Sequence, residues 1–190
     1  MTLHLAQIEA ADAFLAADPL ALLVGMQLDQ QFPMERAFGS PYLLAQRLRV
    51  QRLDAGILAE ADPDELVRIF TGPPALHRFP GSMAARVQAM SRQIVEEYGG
   101  DAAAVWTGAS SGAQLLARLE SLPGFGSQKA RIFLALLGKQ MGVRPEGWRA
   151  AAGDYGQEGS RRSVADVTGP ESLAEVREHK RSAKKAARGT

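Results

Sequence analysis

Leu122-Pro123-Gly124-Phe125-Gly126-Ser127-Gln128-Lys129-Ala130 is the stretch that decides the fold of this chain. It joins two segments whose apolar residues recur at helical spacing, leucines before it and Ala130 and Phe133 after it. A proline and two glycines give the turn backbone angles that most residues resist. The helix after the turn begins with N–H groups that have no partner within the helix, and such an end binds anions. A phosphate could approach this small turn closely, and Lys129 and Arg131 add positive charge.

The order apolar-Pro-Gly-aromatic-Gly, followed by Lys-Ala and an apolar helix, resembles the helix-hairpin-helix element of DNA repair glycosylases. The alternative interpretation is an ordinary helical hairpin with a glycine turn. We place the hairpin unit at residues 111–141. The resemblance implies that its turn and the following helix contact the DNA backbone through Gly124, Phe125, Gly126, Ser127, Gln128, Lys129 and Arg131.

Composition limits the functions that remain open. The chain has 190 residues, 46% of them apolar, and a formal net charge of only +1, so any DNA surface must be a local patch. It contains no cysteine, which excludes disulfides, thiolate zinc sites, iron–sulfur clusters and cysteine nucleophiles. The three histidines are dispersed, so a metal site is not predicted. No secretion signal or membrane span is recognisable, and we expect a cytoplasmic, nucleoid-associated protein.

Nearly every segment has the residue pattern of a helix, and no run of residues alternates between apolar and polar as a strand does. The apolar run 20–28 predicts a central buried helix, and residues 142–168 predict a long loop with a short helical piece. Residues 169–190 predict a basic terminal helix, either solvated or contacting DNA phosphates. The helix start and stop signals are Asp18-Pro19, Asp62-Pro63-Asp64-Glu65, Ser82, Gly99-Gly100, Ser111 and Thr168-Gly169-Pro170-Glu171.

The similarity extends beyond the hairpin, over roughly residues 18–150. Residues 22–31, and on through Ala37, look like the buried helix of the 3-methyladenine glycosylase branch, where that helix ends in Gln-Gln, and residues 81–87 look like the next helix start. The chain is therefore identified as a member of the helix-hairpin-helix/Gly-Pro-Asp superfamily of base-excision DNA repair glycosylases. This resemblance implies one all-α domain, residues 1–190, of two helical lobes with a cleft between them. It also implies a monomer that flips a damaged base out of double-stranded DNA, without a cofactor except a monovalent cation at the hairpin.

Strand cleavage is not expected, because the sequence departs from the pattern of strand-cutting relatives. In those enzymes a lysine lies two residues after the second glycine of the hairpin. That position is Gln128 here, and an amide cannot form a Schiff base. Lys129 is adjacent, but one residue turns a helical side chain by about 100°. We expect a monofunctional glycosylase that uses water as the nucleophile.

The catalytic carboxylate is less directly indicated. The family places an Asp about twenty residues after that second glycine, and this offset from Gly126 leads to Glu146. A carboxylate would stabilise the positive charge that develops on the sugar and accept a proton from the attacking water. The alternative role for Glu146 is an acidic residue at a helix start, favoured by the dipole. Asp154 and Asp166 are the other candidates.

Three further residues complete the predicted site. Gln30 and Gln31 could fill the gap left by a flipped base, or they could simply bond to carbonyls at a helix end. Trp148, close to Glu146 in sequence, is a candidate for stacking on the base. Two functions therefore remain open: a DNA N-glycosylase, and a DNA-binding or lesion-sensing protein that kept the scaffold without catalysis.

Overall fold

The computed structural model describes residues 2–188, except for the side chain of Arg188, and within that range the fold is all-α, as predicted. Three short 3-10 turns, at residues 102–105, 153–156 and 164–166, supplement the helices. The helices are α1 (Glu9–Ala17), α2 (Pro19–Leu28), α3 (Met34–Leu48), α4 (Ala55–Glu60), α5 (Pro63–Thr71), α6 (Pro80–Tyr98), α7 (Gly112–Glu120), α8 (Ser127–Gln140), α9 (Trp148–Ala152) and α10 (Pro170–Arg188).

Several helix boundaries coincide with the signals in the sequence. The Asp18 side chain accepts a hydrogen bond from the Ala21 N–H at 3.1 Å, and Pro19 is the first residue of α2. Asp62 caps α5 in the same way, through the N–H of Glu65. Gly99 ends α6 with φ of +60°, a conformation that glycine adopts without steric cost.

The buried helix predicted at residues 20–28 is confirmed, because every residue of α2 after Pro19 is buried. It packs on α1, α3 and α6, while α4 and α5 pack on α6. The approach to α3 is close: a Cβ added to Gly25 would lie 2.7 Å from the Phe38 ring. Helix α2 therefore ends in the middle of the protein, and the polar residues that follow it begin at the end of a closely packed helix.

The second group of helices surrounds α8, which packs on α7, α9 and the two later 3-10 turns. The predicted loop at residues 142–168 contains α9 and these two turns, so it is more helical than the sequence indicated. Helix α8 is itself buried on most of its length, and its apolar side chains belong to the same core as those of α2. The hairpin turn, residues 121–126, thus lies between two packed helices.

Helix α10 crosses the surface near the end of α2 and the start of α3. Leu173 and Val176 in its first half are buried, and Arg177 forms a salt bridge with Glu35 at the start of α3. Every described side chain from Arg177 to Ala187 is exposed. The predicted terminal helix at 169–190 also includes Gly189 and Thr190, which lie outside the described residues, as does Met1.

Between residues 2 and 188, no single helix combines the length and apolar composition needed to cross a membrane. Helices α1 and α2 meet that criterion only when taken together, and they are bent by 117° relative to each other.

Candidate functional site

The candidate site is an open cleft of about 1080 Å³. Four parts of the chain form its walls: the segment that follows α2, the hairpin turn with the first turns of α8, residues 152–155 and the exposed half of α10. Its lining includes most of the residues predicted to contact DNA, namely Gln30, Gln31, Gly124, Gly126, Ser127, Gln128, Lys129 and Arg131. The cleft therefore joins two predicted elements that are about a hundred residues apart in sequence.

The hairpin turn presents an open helix start to this cleft. The Phe125 N–H donates to the Leu122 carbonyl at 3.0 Å, and both side chains are buried beneath the turn. Gly126 is the N-cap of α8, and no side chain accepts a hydrogen bond from the first N–H groups of that helix. Ser127 and Gln128 are exposed. The N–H groups at this end are thus available to an anion, as the sequence predicts.

Gly124 is required at its position for two reasons. Its φ is +81°, and an added Cβ would lie 2.2 Å from Nε2 of Gln27. Gln27 itself is 0% exposed, and neither polar atom of its amide has a hydrogen-bond partner among the described residues. The turn therefore rests directly on a buried amide of α2.

Lys129 connects the same two elements. Its Nζ donates to the backbone carbonyl of Gln27 at 2.9 Å and lies 5.7 Å from the centre of the Phe125 ring. Burial lowers the pKa of Lys129 to about 8, although the charge of Asp29 acts in the opposite direction. The hairpin lysine is therefore directed into the protein toward the end of α2, and its charge faces the carboxylate of Asp29.

Asp29 is the carboxylate that sequence reasoning missed. It is the residue after α2, it lines the cleft, and its side chain accepts no hydrogen bond within residues 2–188. Burial raises its pKa, while the charges of Lys180 and Lys129 lower it. A partly buried acid beside two cations in a cleft is a typical arrangement of a functional site. The sequence feature that could have indicated Asp29 is its position between the end of the apolar run and Gln30-Gln31.

The Gln30-Gln31 segment is held in place by residues near the start of α6. The Gln30 carbonyl bonds to Nε2 of His77 at 2.9 Å, and its side-chain oxygen accepts from Arg86 at 3.0 Å. Gln31 has φ of +53° and an exposed side chain. Both amides thus project from a fixed loop at the mouth of the cleft.

Glu146 and Trp148, the predicted carboxylate and base-stacking residue, do not line the cleft. Glu146 is exposed, and its carbonyl accepts from the Gly112 N–H at 2.7 Å, at the start of α7. Since α7 is nine residues long, its start lies about 13 Å along the helix from the hairpin turn. Trp148 is 7% exposed and packs so closely on Gly138 that a Cβ there would lie 2.3 Å from the ring.

The two other predicted carboxylates have different surroundings. Asp154 lines the cleft, but its side chain is 63% exposed and pairs with Arg162 at 3.1 Å. The Asp166 side chain is 2% exposed, accepts from Lys139 at 2.6 Å and also accepts from the backbone N–H groups of Arg162 and Ser163, before the 3-10 turn. Asp166 is therefore a structural acid, and Asp154 is an exposed residue on the rim.

Aromatic side chains do reach the cleft, although Trp148 does not. Phe32 and Tyr155 belong to its lining. The Tyr155 hydroxyl accepts a hydrogen bond from the amide of Gln128 at 2.9 Å, and the guanidinium of Arg36 lies 4.7 Å from the centre of the Phe32 ring. Gln128 is thus hydrogen-bonded to a ring that could stack on a base.

Residues 2–188 contain no group of three or more His, Asp or Glu side chains arranged to hold a metal ion. No family model matches the chain, and no curated protein is significantly similar to it in sequence.

Proposed function

We propose that this protein binds double-stranded DNA and removes a damaged base by hydrolysis of the base–sugar bond. One observation carries the proposal: a single cleft joins an open, glycine-flanked helix start to a partly buried carboxylate, Asp29. The first feature suits a phosphate, and the second suits a developing positive charge on a sugar. A base stacked in a duplex cannot reach such a cleft, so it must be flipped out at a cost of a few kcal/mol.

In this reaction the hairpin holds the backbone beside the target nucleotide, and Gln30 or Gln31 occupies the space that the base leaves. The bond from the sugar C1′ to the base nitrogen breaks, and its electron pair leaves with the base, which takes up a proton from solvent. The oxygen of a water molecule forms the new bond to C1′, while the Asp29 carboxylate accepts the proton of that water. The charged carboxylate also stabilises the cationic sugar in the transition state. Lys129 and Lys180 favour this charged form of Asp29.

The reaction is expected to stop after the base is released. Gln128 cannot form a Schiff base, and the Lys129 amine already donates to the Gln27 carbonyl inside the protein. Borohydride should therefore trap no covalent complex with DNA, and product strands should break only after alkali. A trapped adduct at Lys129 would contradict this monofunctional assignment.

The decisive experiment is single-turnover excision on a panel of alkylated, oxidised, deaminated and mismatched duplexes. On a duplex that the wild type cleaves, Asp29→Asn should lower the rate at least about a hundredfold, the scale of a lost acid–base group. Duplex affinity should not weaken, because the change removes a negative charge near the phosphates. Asp154→Asn is the matched control, since it makes the same substitution on the rim of the same cleft, and Glu146→Gln tests the predicted residue. A wild-type rate in Asp29→Asn would refute the role of Asp29.

A second function, DNA binding or lesion sensing without catalysis, is favoured by one observation. Glu146, at the family's spacing for its catalytic acid, is exposed outside the cleft. Under this alternative the wild type binds duplexes through the hairpin but excises no base from any member of the panel. Failure to bind any duplex would refute both functions.

A further inference from the structure

The exposed half of α10, residues 177–187, has a larger net positive charge than the whole chain. It contains five Lys or Arg residues and one Glu, a net charge of +4, whereas the complete protein has +1. The remaining residues therefore sum to −3. The five basic residues are Arg177, Lys180, Arg181, Lys184 and Lys185.

This charged segment lies beside the cleft and is anchored at its start. Leu173 and Val176 anchor the first half of α10 in the core, and the salt bridge between Arg177 and Glu35 holds the point at which burial ends. Beyond it, His179, Lys180 and Ala183 line the cleft.

The charges divide between two sides of the helix. With 100° per residue, Lys184 projects about 40° from Lys180, one turn further along the helix, whereas Arg181 and Lys185 project about 100° and 140° away from Lys180. Arg181 also forms a salt bridge with Glu178, so part of the outer charge is already neutralised. Among the described Lys and Arg residues of α10, Lys180 lines the cleft, and Lys184 follows it one turn later, outside the lining.

We infer that the inner side of α10, Lys180 and Lys184, is a second phosphate-binding surface that holds the DNA backbone across the cleft from the hairpin. The occupant is a polyanion that reaches both walls, because the hairpin offers N–H groups at one wall and α10 offers ammonium groups at the other. Double-stranded DNA has that regular charge, and neutralising its phosphates releases counterions. The choice of DNA rests on the proposed function, although the surface can be tested without catalysis.

The test compares two double variants that each lose two positive charges from α10. These are Lys180→Gln with Lys184→Gln on the inner side, and Arg181→Gln with Lys185→Gln on the outer side. All four side chains are exposed, so both proteins should unfold at the wild-type temperature. Affinity for an undamaged 20-base-pair duplex is measured by fluorescence anisotropy at several salt concentrations. A poly-glutamate chain serves as a second polyanion.

The inner variant should bind the duplex about tenfold more weakly, with a salt slope smaller by roughly two, one for each lost phosphate contact. The outer variant should change affinity less than about threefold. Equal losses of duplex affinity in both variants, or no loss in either, would refute the proposed phosphate-binding surface. A loss toward poly-glutamate as large as that toward DNA would refute DNA as its partner. If the wild type binds duplexes but excises no base, the enzymatic proposal fails while these affinities still decide the role of α10.

Discussion

Gly126→Asp separates the binding role of the hairpin from its structural role. The backbone at residue 126 has φ of −71° and ψ of 170°, which any residue adopts, and a Cβ there would meet nothing within 4 Å. The new carboxylate would occupy the N-cap of α8, where no side chain now caps the helix. Aspartate at an N-cap stabilises a helix by a few tenths of a kcal/mol relative to glycine. The melting temperature should therefore stay constant or rise by a degree or two.

The same carboxylate would repel a phosphate bound at the helix start. Two charges about 5 Å apart repel by roughly 3 kcal/mol at an effective dielectric constant of about 20, and salt reduces this value. A loss of about 1.5 to 3 kcal/mol corresponds to a ten- to hundredfold weaker affinity. The variant should thus be at least as stable as the wild type and yet bind DNA much more weakly.

Gly126→Asn is the control for this prediction, because asparagine caps a helix about as well as aspartate and has nearly the same size. Duplex affinity is measured by anisotropy, and stability by thermal unfolding. If Gly126→Asp binds as tightly as the wild type, the hairpin is not the phosphate contact. If both variants lose affinity equally, shape rather than charge explains the loss, and the electrostatic argument fails.

Three further predictions concern the cleft. Gly124→Ala should lower the free energy of unfolding by about 1–3 kcal/mol, because φ is +81° and the new Cβ would collide with the Gln27 amide; an unchanged melting temperature would contradict this. After reductive ¹³C-methylation, the Lys129 resonance should titrate near pH 8. In Asp29→Asn it should titrate at a lower pH, because the Asp29 carboxylate favours the charged amine. Titration of Lys129 together with the exposed lysines would refute the burial argument. The excision rate should fall as the pH drops through the raised pKa of Asp29. Lys180→Gln should move this fall in rate to higher pH, because it removes a charge that lowers the pKa of Asp29. An unchanged pH dependence would show that Asp29 does not control the rate.

The helical fold could be predicted because its signals are local. Asp18 and Asp62 each accept the N–H of a residue three positions later, so the sequence itself places the cap beside its partner. The buried helix at residues 20–28 is apolar nearly all round, with Gln27 as its one polar side chain, and such a segment has almost no polar side to expose. The hairpin turn likewise follows from its proline and glycines.

The composition of the site could not be predicted in the same way, because it depends on distant contacts. The bond from Lys129 to Gln27 joins positions 102 residues apart, and nothing local to either residue indicates it. Nothing in the sequence distinguishes Asp29 from other charged residues, whereas in the structure it is a partly buried acid.

Glu146, twenty residues after Gly126, lies outside the cleft for a geometric reason. Helix α8 is 14 residues long, about 21 Å, and carries the chain away from the hairpin. The six residues from 141 to 146 could return over that distance only if fully extended. They cross instead to the start of α7, which lies beside the end of α8, and the chain reaches the cleft only at residues 152–155.

The half-anchored helix α10 has a thermodynamic consequence. No described residue after Val176 is buried, so the last turns depend on their own helix propensity, and a segment of this length is marginal alone in water. Lys180 and Lys184 are like charges one turn apart, which costs a few tenths of a kcal/mol. A bound phosphate would remove that repulsion and order the turns, so part of the heat released on association would come from helix formation rather than from contact. Calorimetry should then give a more negative binding enthalpy for the full chain than for one ending at residue 178, and the difference should follow the gain in helical circular dichroism.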